Sequence, residues 1–220
     1  MRVLLLIVTA VISYYLGSLN GAIIIARFIY HRDVRDYGSG NAGLTNFCRT
    51  FGYGAGALVI LIDFVKSAAA VLLGGALLSL VDAKLIGRVF AGFCLIMGHI
   101  FPAFHQFRGG KGVLCGMTTA FLIDWRVGLL CLLVFLMIVI FTRYVSLGSI
   151  VGMVLCPAFM WMFGYDTLSG ILALLCALLI VVKHAENIVR LIAGTENKLT
   201  LTGQRRVSKA EPEDPYWEEK

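Results

Sequence analysis

The familiar catalytic signatures are missing from this chain. It has no H-E-x-x-H zinc helix, no G-x-S-x-G nucleophile elbow and no Ser-His-Asp order. Its four histidines are scattered. The six cysteines, Cys48, Cys94, Cys115, Cys131, Cys156 and Cys176, form no C-x-x-C pair and mostly lie in apolar runs, which makes them small buried hydrophobes rather than disulfides or metal ligands. No metal and no cofactor are expected. Charge is also scarce: 15% of residues are Asp, Glu, Lys or Arg, against about 25% in a soluble domain. That shortage excludes a soluble globular protein. There is no heptad pattern and no internal repeat.

What the chain has instead is apolar sequence, 59% of its 220 residues, recurring along nearly the whole length. A membrane-crossing helix needs about 20 apolar residues for a hydrocarbon core about 30 Å thick. Runs at 3–26, 52–80, 85–101, 113–123, 127–141, 145–163 and 168–182 predict an all-α polytopic membrane protein with about seven transmembrane helices. The count drops to five or six if the short segments, such as 113–123, are re-entrant. The opening run could pass for a secretory signal, but its apolar character continues through Ile23–Ala26. With the N-terminus outside and seven crossings, the inner loops hold Arg27, Arg32, Arg35, Arg49, Arg108, Lys111, Arg143, Lys183 and Arg190. The outer side then holds only Arg2, Lys84, Arg88 and Arg126. That excess predicts an outside N-terminus and a cytoplasmic C-terminus. The net charge of +6 is thus a matter of topology, and no nucleic-acid partner is expected. The sequence divides into a membrane domain, 1–198, and a polar tail, 199–220, whose composition predicts disorder.

Three stretches on the predicted cytoplasmic side carry chemistry. The first, 38–49, reads GSGNAGLTNFCR and holds Ser39, Asn41, Thr45, Asn46 and Arg49. A helix starting near Gly43 would place Thr45 and Arg49 on one face and aim backbone N–H groups at an anion; a capped flexible loop is the alternative. The second, 98–112, reads GHIFPAFHQFRGGKG. Bared N–H groups of Gly109, Gly110 and Gly112 with the cations Arg108 and Lys111 suggest a phosphate cradle. It is not a nucleotide P-loop, because His105 stands where the first glycine belongs and Gly112 where Ser or Thr belongs. Lys111 could instead be a simple interfacial anchor, and His99 a structural hydrogen-bonding residue. The third, 184–199, reads HAENIVRLIAGTENKL and puts His184, Asn187 and Arg190 on a loosely shared helix face, which also fits an interfacial amphipathic helix. Asp63 and Lys66, inside an apolar run, either pair with each other or touch a substrate.

Together these stretches resemble the PlsY-type acyl-phosphate:glycerol-3-phosphate acyltransferases of bacterial inner membranes. The matching segments are GSLNGA, GSGNAGLTNFCRTFG, DFVK, GHIFPAF with FRGGKGV, RYVSLGSI and HAENIVRLIAGTE, in the family's order from about Leu5 to Lys198. The resemblance implies seven helices, an outside N-terminus and a cytoplasm-facing site. It implies transfer of a fatty acyl group from acyl phosphate to glycerol 3-phosphate, giving lysophosphatidic acid and phosphate. It implies that Ser39 and Arg49 contact glycerol 3-phosphate, that Lys111 binds phosphate, that His184 and Asn187 position the acceptor, and that Ser146 lines the donor side. Ser67, the pair His105–Gln106 and the pair Leu114–Cys115 depart from the family pattern. Acyl phosphate is an activated mixed anhydride, so positioning and charge stabilisation can replace the missing nucleophile. A transporter of phosphorylated small molecules and a lipid phosphatase are the rival readings. The first lacks an inverted repeat, and the second lacks a nucleophile.

Overall fold

The computed structural model describes residues 1–200, and among them every regular element is helical. Ten α-helices follow in chain order: α1 (Arg2–Ser18), α2 (Gly21–Tyr30), α3 (Leu44–Phe51), α4 (Tyr53–Ser79), α5 (Lys84–Ile100), α6 (Val113–Ile123), α7 (Trp125–Thr142), α8 (Val145–Met162), α9 (Thr167–Lys183) and α10 (Ala185–Ile192). The helix α5 lies at the centre, packed against α1, α4, α6 and α9, while α7 and α8 pair at one side. Large apolar side chains such as Ile140, Phe141 and Val182 face outward, as a lipid-embedded surface requires.

The first apolar run does not form one straight helix. It breaks at Leu19–Asn20, and α2 continues past Ala26 to Tyr30. The Asn20 side chain accepts from the Ile23 N–H and so caps α2. Its amide donates to the Ala42 carbonyl at 3.0 Å, tying the break to the glycine-rich loop. The carbonyls of Gly17 and Leu19, left without helical partners, accept from Lys66 Nζ at 3.2 and 2.7 Å. Lys66 is in turn paired with Asp63 at 2.8 Å, and Asp63 accepts from the Gly21 N–H. The two midmembrane charges therefore pair with each other and hold the break together. Removing one member of such a buried pair costs about 3–5 kcal/mol, because the other charge is left uncompensated.

By length and composition five helical segments among the described residues can cross a bilayer: Arg2–Tyr30, Tyr53–Ser79, Lys84–His105, Trp125–Thr142 and Val145–Met162. A sixth is added if α9 and α10, bent by 60°, count as one crossing. The molecule is thus an all-helical integral membrane protein with five or six candidate spans, and α6, at 11 residues, falls short of the expected seventh. The tail expected to be disordered lies outside the described residues from position 201 onward.

Candidate active site

Helices α3, α6 and α8 begin, and α5 and α9 end, at the same end of the bundle. They surround a cavity of about 310 Å³. The loop 31–43 forms one wall. There Asp33 accepts from Arg35 through both oxygens, and Arg35 Nη1 reaches across to the His105 carbonyl at 2.9 Å, clamping this loop to the one that carries Lys111. Burial alone would raise the Asp33 carboxyl, but hydrogen bonds from Arg35 and Arg27 outweigh it and hold it well below the usual carboxylate range. Asn46, buried on α3, donates to the Val34 and Tyr37 carbonyls and accepts from the Ser39 N–H, fixing the turn that presents Ser39. The helix α3 starts after Gly43, as the sequence predicts, so Thr45 and Arg49 lie one turn apart, and both line the cavity with Ser39 and Asn41.

The second wall is the turn into α6. Lys111 Nζ donates to Asn187 Oδ1, and Gly112, with φ of 80°, adopts a left-handed conformation that starts α6 beside it. Burial, reinforced by the Arg190 charge and opposed by Glu196, pushes the Lys111 ammonium down to about 8. Gly109 and Gly110 do not line the cavity, and their N–H groups are not bared. They donate to the carbonyls of Ile100 and His99. These glycines are there because a Cβ at either would collide with the His99 backbone or ring. Arg108 is exposed and lies outside the lining.

The third wall comes from α8, α9 and α10. His184, almost fully buried, donates from Nδ1 to the Ile180 carbonyl at 2.8 Å. A carbonyl only accepts, so the hydrogen is on Nδ1 and the Nε2 lone pair is left as an acceptor. Among the described residues no carboxylate hydrogen-bonds this ring; Glu186 is exposed and only approaches Arg190, at 3.9 Å. Asn187 donates to Glu196 Oε1 at 2.7 Å, which fixes its amide so that Oδ1 faces Lys111. Glu196 also accepts from Ser146 at 2.9 Å and from Arg190 at 2.7 Å. Burial would raise its carboxyl, yet these donors hold it below the ordinary range. The sequence reading gave Glu196 no role. The structure makes it the acceptor that joins α8 to α10.

The geometry brings Ser39, Asn41, Arg49, Lys111, Gly112, Ser146, His184 and Asn187 to one cavity, whose far wall is apolar: Leu114, Met117, Leu132 and Phe135. Cations, hydroxyls and an unpaired imidazole acceptor at one end suit an anion bearing a hydroxyl, and the apolar wall suits an alkyl chain. One trio, Asp63, His99 and Cys115, has ligand-type atoms within 4.8 Å of one another, but the Lys66 ammonium stands against both Asp63 and His99 Nδ1.

Comparison with known proteins decides the family. A family profile described as glycerol-3-phosphate acyltransferase matches residues 7–194. The chain is 39% identical to the glycerol-3-phosphate acyltransferase of Thermoanaerobacter sp. (strain X514), over 88% of this chain and 95% of that one. It is 40% identical to that of Clostridioides difficile (strain 630), over 94% and 100%. A crystal structure of PlsY, an integral membrane glycerol 3-phosphate acyltransferase in its glycerol 3-phosphate form, superposes with a TM-score of 0.81 at 32% identity, covering 89% of this chain and 96% of that one. The chain belongs to the PlsY-type glycerol-3-phosphate acyltransferase family. Its activity is acyl transfer to glycerol 3-phosphate, and its product is lysophosphatidic acid. A second PlsY crystal structure, the lysophosphatidic acid form, superposes with a TM-score of 0.78 at 31% identity. The family match takes in the first two loop stretches and most of the third, and ends before Glu196.

Proposed function

We propose that the acyl donor is acyl phosphate and that transfer occurs at this cavity, on the cytoplasmic face of a bacterial inner membrane. The observation that carries the reading is Lys111, held by Asn187 beside a His184 Nε2 that has no partner among the described residues, in a cavity where no described histidine pairs with a hydroxyl and Ser146 meets only Glu196, a carboxylate already held by Asn187 and Arg190. The glycerol 3-phosphate phosphate lies between Arg49, Ser39 and Asn41, and Lys111 and Gly112 hold the phosphate of the donor, with Ser146 on the donor side. His184 Nε2 accepts from the 1-hydroxyl and aims its oxygen at the donor carbonyl carbon. That oxygen forms the ester bond, the carbonyl–oxygen bond of the anhydride breaks, and phosphate leaves with the electron pair. The hydroxyl proton passes to a phosphate oxygen, so no acyl-enzyme forms. Lys111 neutralises the charge growing on the leaving phosphate. Gly109 and Gly110 let the lysine turn pack close on His99, and Arg108 at the surface draws anionic substrates toward the mouth.

Residues 1–198 form the enzyme unit in this reading. Seven crossings, with the N-terminus outside, also fit the packing. The N-terminal end of α6 is at the cavity. Its other end, through Leu122 and Asp124, bonds to Arg88 and Tyr165 at the opposite end of the bundle. Eleven residues span about 16 Å, so in this reading α6 is a short crossing that starts at the cavity. Purified protein in vesicles, given acyl phosphate and glycerol 3-phosphate, should yield solvent-extractable lysophosphatidic acid and an equal amount of phosphate. Accumulation of unaltered glycerol 3-phosphate inside the vesicles, with no extractable product, would make it a transporter.

A further inference from the structure

We infer that His99 is a further substrate contact, a neutral imidazole whose Nε2–H donates to a phosphate oxygen in the cavity. His99 is 4% exposed, and that exposure opens onto the cavity. Its Nδ1 faces Lys66 Nζ at 2.9 Å. Lys66 is the ammonium partner of Asp63 and can only donate, so Nδ1 accepts and the ring hydrogen is on Nε2. Nδ1 is shut against Lys66, while Nε2 has no hydrogen-bond partner among the described residues and is not fully buried, so it is open to an acceptor. An imidazole N–H left open at the wall of a cavity is a ready donor to a ligand oxygen.

The two histidines of the cavity are thus set to opposite tasks. Ile180 fixes His184 as an acceptor, fit for a hydroxyl hydrogen, and Lys66 fixes His99 as a donor, fit for an anionic oxygen. The rim beside Nε2 is the Gly110–Lys111 turn, where a Cβ at Gly110 would collide with Nε2 itself. A phosphate held by Lys111, the residue after Gly110, would lie on the Nε2 side of the ring. Both substrates carry phosphate, and the kinetics tell them apart. Beyond its own donor, the Asp63–Lys66 pair acquires a second purpose: it sets the tautomer of a cavity residue as well as closing the helix break.

The inference rests on this cavity being the phosphate site, and the experiment separates the two. Steady-state kinetics are measured for wild type, His99→Gln, His99→Phe and Lys111→Met, with each substrate varied in turn. A donor role predicts that His99→Phe raises KM for one phosphorylated substrate by about ten- to a hundred-fold, the loss expected for a hydrogen bond to a charged group, while His99→Gln stays within a few-fold of wild type. Whichever substrate shows the change owns the contact. If the ring only fills space under Gly110, Phe will be tolerated at least as well as Gln, and the inference fails. It also fails if kcat alone falls and both KM values hold. Should His99→Phe not fold, 15N-histidine spectra of the wild type decide. Titration with glycerol 3-phosphate, and separately with inorganic phosphate, should move a protonated-type Nε2 resonance, and no movement under saturation with both would overturn the contact. If Lys111→Met keeps full activity, the cavity assignment itself is wrong. If it is inert while His99→Phe is silent, only the His99 contact falls.

Discussion

Replacing Lys111 by Arg isolates the charge of the residue from its shape. Burial holds the Lys111 ammonium at about 8, well below the usual 10.5. A phosphate needs the charged form. The contribution of Lys111 is therefore complete below about pH 8 and disappears as pH rises through that value. In the free enzyme, reported by kcat/KM, half the activity should be gone at about pH 8. One unit higher, about a tenth of the lysine is charged and kcat/KM should drop about tenfold. Bound phosphate favours the ammonium, so the same limb in kcat should lie at higher pH. Arginine stays charged throughout this range, so Lys111→Arg should show no limb between pH 7 and 9.5. Its plateau should lie about tenfold or more below wild type, because a planar fork does not replace a point donor held by a single amide oxygen. The assay is the rate of phosphate release with acyl phosphate and glycerol 3-phosphate, at matched ionic strength. A wild-type kcat/KM flat to pH 9.5, or the same limb in the arginine variant, would refute the reasoning.

His184→Gln should keep substantial activity, above His184→Ala, with an unchanged pH profile, because Gln can still accept from the hydroxyl. If Gln is as inert as Ala, and an acidic limb found in the wild type is lost from any residual activity, the imidazole is a general base. Gly110→Ala should lower both activity and thermal midpoint, since the new Cβ meets the His99 ring and the Ala42 carbonyl; overpacking of this kind costs about 1–3 kcal/mol. A variant with wild-type activity would show that the lysine turn can give way. A cysteine at Asp166, in the turn before α9, should react with an impermeant reagent from outside the cell. Labelling only from the cytoplasmic side would reverse the orientation.

The helical, membrane-embedded character and the three site-forming stretches were legible because they depend on local sequence. Apolar runs made the helices, and the stretch 113–123 coincides with α6. Gly43 marked the start of α3, and a Cβ there would crowd the Asn41 amide. What stayed hidden depends on partners distant in sequence. The break at Leu19–Asn20 falls in a short small-and-polar stretch, GSLNG, inside the first apolar run; it is held by Ala42 and Lys66, which only the fold brings near. Glu196 reads as one more polar residue after a helix. Its partner Ser146 is 50 positions away. The glycines before Lys111 were read as a source of bared N–H groups, yet the His99 side chain and backbone explain them.

The most direct test of the central claim is an experimental structure of this protein with glycerol 3-phosphate bound. The account predicts the ligand inside the α3–α6–α9 cavity, its phosphate within hydrogen-bond distance of Arg49 and Ser39, and its 1-hydroxyl against His184 Nε2. A ligand seated instead at the exposed Arg108 surface, or among Arg88 and Arg126 at the opposite end of the bundle, would contradict it.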